Sequence, residues 1–115
     1  MKAYPAHFNS LNRNSDLNDL DKLPRLQILG ENPKRDNDAR ASYAASALVE
    51  YAAVVGDPMV RGREELGETI ADLLGDLRHL CDALKINYEA AILAGMEQYD
   101  QELYGEVKWD GEKDG

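Results

Sequence analysis

The stretch LGETIADLLGDLRHLCDAL, residues 66–84, decides the fold. Leu66, Ile70, Leu73, Leu77, Leu80 and Leu84 follow a strict 4-3-4-3-4 spacing, and Leu74 and Cys81 widen the stripe. At about 100° per residue these positions share one side of an α-helix. Asp57-Pro58 upstream fits an N-cap followed by proline at the first helical position, so the helix can begin there. Gly62 leaves that start open.

Working outward, Asn87 is expected to open a further helix running to about Tyr104, with Ile92, Met96, Tyr99 and Leu103 as its apolar face, helped by Leu93. On the other side, a long helix is predicted from about Asp38 to Val55. Asp36 to Asp38 are its N-cap candidates and Gly56-Asp57-Pro58 its stop. Ala41, Ala44, Ala45, Leu48, Ala52 and Val55 form its expected buried face, with alanines that let a partner helix come close. Tyr43 and Tyr51 lie toward the border of that face, where each hydroxyl can reach water.

Residues 1–37 read as an arm. Pro5, Pro24, Gly30 and Pro33 interrupt any long helix, and only a short one is expected, from Asp16 to about Leu23, capped by Ser15. Leu17, Leu20, Leu23, Leu26 and Leu29 recur every three residues, which drifts around a helix, so a docked and partly irregular segment is expected. Residues 30–35 are a connector by composition. Residues 105–115 form a polar, acidic tail in which Trp109 is a docking point. Nothing reads as a strand. The expected fold is all-α: an arm over 1–37, a small bundle of three amphipathic helices over 38–104 and a tail over 105–115. Its core is thin, so self-association into a homo-oligomer is expected to complete it, the first two long helices pairing across an interface between copies.

The 115 residues suit one domain, and 43% of them are apolar, enough for one core. There is no uninterrupted apolar run of membrane-spanning length. Met1-Lys2-Ala3-Tyr4-Pro5 leads into polar sequence, so no secretory signal is expected. Cys81 is the only cysteine, which rules out an intrachain disulfide or a multi-cysteine zinc site, and a reduced, cytoplasmic setting is the default. The formal net charge is −9, carried as +1 by residues 1–40, −5 by residues 41–96 and −5 by residues 97–115. Such a balance argues against nonspecific nucleic-acid binding, which needs a basic footprint, but leaves nucleic-acid mimicry open.

The chief candidate for chemistry is the acidic edge of the 66–84 helix. Glu65, Glu68, Asp72 and Asp76 are spaced 3-4-4 and stack beside the apolar stripe, with His79 continuing the row. Close carboxylates repel one another unless a cation or basic groups compensate. Oxygen ligands of this kind suit Mg²⁺ or Mn²⁺, which in turn grips phosphate. Glu50 is placed to face the row from the preceding helix. The plainer alternative is the solvated flank of an amphipathic helix. Lys34, Arg35, Arg40, Arg61 and Arg63 lie near expected helix ends, where they suit phosphate binding or plain solubility. His79 is a metal-ligand or proton-carrier candidate, and Cys81 reads as a stripe residue rather than a nucleophile.

The stretch from Glu68 to Met96 resembles the second half of the MazG-like all-α nucleoside triphosphate pyrophosphohydrolases. In that family an acidic pair opens a leucine-rich helix, a short turn follows, and the next helix begins near Glu-Glu-Ala. Leu84-Lys85-Ile86-Asn87 followed by Glu89-Ala90-Ala91 fits this pattern. The resemblance implies Mg²⁺ held by an E-E-x-x-E motif on one helix and an E-x-x-D motif on the next. Asp72 matches the aspartate of the second motif, but Thr69 stands where its glutamate belongs, and Glu68 is one residue off. Upstream only Glu50 is in place, since Tyr51 and Ala53 occupy positions for further carboxylates. A literal E-E-x-x-E does occur at Glu64-Glu65-Leu66-Gly67-Glu68, with E-x-x-D at Glu97-Gln98-Tyr99-Asp100, in an order that breaks the family's sequence of helices.

Asp72-Leu73-Leu74-Gly75-Asp76-Leu77-Arg78-His79-Leu80-Cys81-Asp82 is also similar to a D-L-L-x-D-L-x-H-x-C-D signature of small proteins from phages and other mobile elements. That likeness runs from about Asn37 to Glu102 and implies a shared helical fold without an activity.

The favoured reading is a non-catalytic, acidic helical protein–protein interaction protein, phage or mobile-element encoded. It would act on a host or defence protein through Glu65, Asp76, Glu97 and Trp109. The alternative is a Mg²⁺-dependent pyrophosphohydrolase converting a nucleoside triphosphate to monophosphate and pyrophosphate. In that reading Glu50, Glu65, Glu68 and Asp72 hold the metal, Glu68 and Asp72 carry the catalysis, and Arg61 and Arg63 bind phosphate. A nucleic-acid mimic is the third.

Overall fold

The computed structural model describes residues 2–30, 32–56 and 63–104. These hold four helices and no strand: α1, Leu17–Asp21; α2, Pro33–Val55; α3, Leu66–Leu84; and α4, Tyr88–Leu103. The all-α expectation holds among the described residues. No helix there is long and apolar enough to cross a membrane. The tail from residue 105, with Trp109, lies outside the described residues, as do Arg61 and the candidate start at Asp57-Pro58.

The short helix α1 is capped by Asp16 rather than Ser15. Asp16 Oδ1 accepts from Asp19 N at 2.9 Å, and Asp19 Oδ2 accepts from Asp16 N at 3.4 Å, closing a capping box. Leu17 and Leu20 then point into the core.

The long helix α2 starts five residues earlier than the acidic run suggests. Asn32 is its N-cap, its Oδ1 accepting from Arg35 N at 3.1 Å, and Pro33 takes the first helical position. The expected caps Asp36, Asn37 and Asp38 are instead helical residues whose side chains hold the arm. Asp38 Oδ1 accepts from the amides of Ala6 and His7, at 2.6 and 2.8 Å. Asp36 Oδ1 accepts from Leu29 and Gly30. The Asn37 amide donates to the carbonyls of Ala3 and Glu102, joining the arm to the end of α4.

Further along α2, the fully buried Ser42 accepts from Leu26 N at 2.8 Å. Tyr43 Oη accepts from Ile28 N at 3.1 Å, so its hydroxyl serves the arm rather than water alone. The arm segment 26–30 thus runs antiparallel to α2, fastened by side chains because it has no ladder of its own. The face of α2 is correspondingly wider than the expected stripe. Ala39, Ser42, Ala45, Leu48 and Ala52 are buried, while Ala44 and Val55 are exposed.

The arm also finishes the start of α3. Glu65 is its N-cap with no side-chain bond to the helix amides, but the amides of Leu66 and Gly67 donate to the carbonyls of Ser15 and Arg13, at 2.8 and 3.0 Å. Two of the four orphan amides of a helix start are satisfied in this way. Gly67 permits the approach, because a Cβ there would stand 3.3 Å from Arg13 Cβ. The main core gathers Leu17 and Leu20 of α1, Ala45, Leu48 and Ala52 of α2, and Leu66 of α3, with Phe8, Leu11, Val49 and Leu73 against it.

Between α3 and α4 the chain reverses in three residues. Lys85 adopts the left-handed conformation (φ 61°, ψ 36°), and Ile86 N donates to Cys81 O at 2.9 Å, closing the helix end. Asn87 Oδ1 then accepts from Ala90 N at 2.8 Å and caps α4, as the sequence leads one to expect. Arg78 braces the hairpin, bonding Glu89 at 2.6 Å and lying over the Tyr88 ring. The last turn of α4 returns to the arm, where Ala3 N donates to Leu103 O, Lys2 lies over Tyr104, and Arg40 pairs with Glu102 at 3.1 Å.

Candidate functional site

The acidic row lies along α3 as the spacing requires, and Glu65 and Asp76 within it have separate neighbours. Glu65 Oε1 accepts from Asn14 Nδ2 at 3.0 Å. Asp76 Oδ2 accepts from Tyr51 Oη at 2.6 Å, which ties this member of the row to α2. Glu50, Glu68, Asp72, His79 and Glu97 are all exposed, and Cys81 is half-buried. Among the described residues, no three Asp, Glu, His or Cys side chains are arranged to hold a metal ion.

Thr69 is the instructive position. It is fully buried, and its hydroxyl donates within reach of Glu64 Oε1 at 3.0 Å and Glu65 O at 3.1 Å. The side of α3 that turns inward at this turn therefore offers a small hydroxyl where the MazG-like pattern has a carboxylate. Glu50, Glu65, Glu68 and Asp72 are not brought together here as a group of three.

The described basic candidates are engaged elsewhere or exposed. Lys34 Nζ donates to Tyr4 O at 2.9 Å and Arg35 to Gln27 O at 2.9 Å, both holding the arm. Arg40 bridges Asn37 and Glu102. Arg63 is exposed.

What the structure does assemble is a large apolar surface. The α3 stripe is covered at its first turns by α2 and the arm, where Leu66 is buried and Leu73 half-buried. From Leu74 to Gln101 no residue is buried, and only Cys81 and Tyr88 are half-buried. Ile70, Leu74, Leu77, Leu80 and Leu84 of α3, Ile86 of the turn, and Ile92, Leu93, Met96 and Tyr99 of α4 are each 39–62% exposed. Both apolar faces are thus covered only at their ends next to α2 and the arm.

Two hollows continue this surface toward α2. One, of 330 Å³, is walled by Ala41, Ala44, Ala45 and Leu48 of α2 and by Ile70 and Leu73 of α3. The other, of 240 Å³, lies between Asn37, Arg40 and Ala41 of α2 and Tyr99 and Leu103 of α4. Ala41 borders both, so the ends of the two stripes nearest α2 open beside the same residue. Periodicity identified these apolar residues. What it left out was that the arm and α2 are too short in reach to cover the whole stripe.

No family model matches the chain, and neither does any curated protein or solved structure.

Proposed function

We propose that the chain is a non-catalytic helical interaction protein that works by holding other protein surface against the α3–α4 hairpin. The observation that carries this reading is the run from Leu74 to Gln101, a helical hairpin without one buried residue. Short helices are marginal in water and owe their stability to packing of an apolar face. A contiguous bare patch of this size is characteristic of a protein–protein contact. Self-association and engagement of a host or defence protein both use such a surface, and the exposed acids Glu65, Asp76 and Glu97 are the polar groups offered to the second kind of partner. The likeness of residues 72–82 to phage and mobile-element proteins fits that role and rests on analogy.

The pyrophosphohydrolase alternative has less support, because its carboxylates are dispersed and Thr69 replaces one of them. The test is capture from the lysate of a suitable host by the tagged chain and by a Glu65→Lys, Asp76→Lys, Glu97→Lys variant. The expected result is a partner held by the native chain and lost by the variant while the helical circular dichroism is unchanged. A partner held equally by both removes the acids from the contact. Pyrophosphate release from any nucleoside triphosphate with Mg²⁺ overturns the non-catalytic reading.

A further inference from the structure

The interaction reading leaves open what normally covers the hairpin, and this inference rests on it. We infer that the cover is a second copy of this chain, paired isologously and antiparallel, so that two α3–α4 hairpins form a four-helix bundle. Area comes first. Ten large apolar side chains at 39–62% exposure leave on the order of 1,000 Å² bare per chain, close to the roughly 800 Å² each partner contributes to a standard interface. A second hairpin of the same size matches that surface; a short peptide does not.

Residues 70–99, which carry the bare side chains, hold Asp72, Asp76, Asp82, Glu89 and Glu97 against Arg78 and Lys85, a net of −3. Arg78 is already paired with Glu89. The ten bare side chains are themselves uncharged, so the contact between two copies is carried by apolar area and not by charge. Both stripes keep the 3–4 spacing that interlocks in bundles, and the ends of both nearest α2 open beside Ala41. An antiparallel arrangement brings the hairpin tip of each copy, with Leu84 and Ile86, toward the alanine-walled hollows of the other. The two-fold contact closes on itself and leaves no free apolar end. Permanent cover is also what the hairpin needs, and a second copy is always at hand.

Sedimentation equilibrium of the native chain is expected to give twice the 12.8 kDa chain mass at micromolar concentration. Leu77→Glu with Met96→Glu is expected to return the mass to that of one chain. Should that pair unfold the chain, the milder Leu80→Asn is expected to raise the dimer dissociation constant at least about tenfold with the fold retained. A native chain that stays monomeric, or that forms assemblies without a stop at two, overturns the inference. A dimer that Leu80→Asn leaves as tight as before overturns it as well. A monomer that still captures a partner through Glu65, Asp76 and Glu97 separates this failure from failure of the interaction reading.

Discussion

The α2 helix and the α3–α4 hairpin are built from similar amounts of apolar sequence and meet opposite fates. Helix α2 is covered over its inner face: the arm lies along one side, α3 and α4 touch another, and even Asp36, Asn37 and Ser42 are buried with their polar atoms bonded to the arm. The hairpin has the cleaner apolar stripe and is bare over 28 residues. Amphipathicity therefore does not locate the core of this chain. The core forms where irregular sequence folds back over a helix, and the best stripe is left for another molecule.

Substitutions in the two regions sharpen this contrast. Leu48 is buried in the main core, so Leu48→Ala is expected to cost about 2–5 kcal/mol at any protein concentration, measured by denaturant unfolding. The same truncation at Leu80, half-exposed in one chain, is expected to cost less than 1 kcal/mol in dilute solution and more as concentration rises. A Leu80→Ala penalty independent of concentration breaks the contrast. Next in size is Asp38→Ala, which strips the acceptor from the amides of Ala6 and His7 and should cost about 1–3 kcal/mol. Faster hydrogen exchange at those two amides is its specific sign.

Smaller effects are expected in the hairpin itself. Lys85 occupies a left-handed position that glycine adopts without a Cβ penalty, so Lys85→Gly is expected to stabilise by roughly 0.5–1 kcal/mol. Arg78→Ala breaks an exposed ion pair with Glu89 and is expected to cost at most about 1 kcal/mol, with the loss shrinking in high salt.

Much of this architecture was legible in the sequence. Asn87 announced the start of α4, and the leucine spacing announced α3, because caps and periodicity are local signals. The start of α2 was not legible in the same way. Asp36 to Asp38 look like caps, and only the folded arm shows that their side chains are acceptors for backbone far away in the chain. The acidic row was legible as a row, but its pairings with Asn14 and Tyr51 join residues 51 and 25 positions apart, which no spacing rule reveals. The extent of burial was the least legible feature, since a stripe records which side is apolar and says nothing about how much of it the rest of the chain covers.

Hydrogen–deuterium exchange followed through dilution tests the central claim most directly. If the hairpin is covered in solution, amides between Leu77 and Met96 are protected in concentrated protein and lose that protection over about two orders of magnitude of dilution, while α2 amides stay protected. Hairpin amides that exchange at one rate across that range, whatever the concentration, contradict the account.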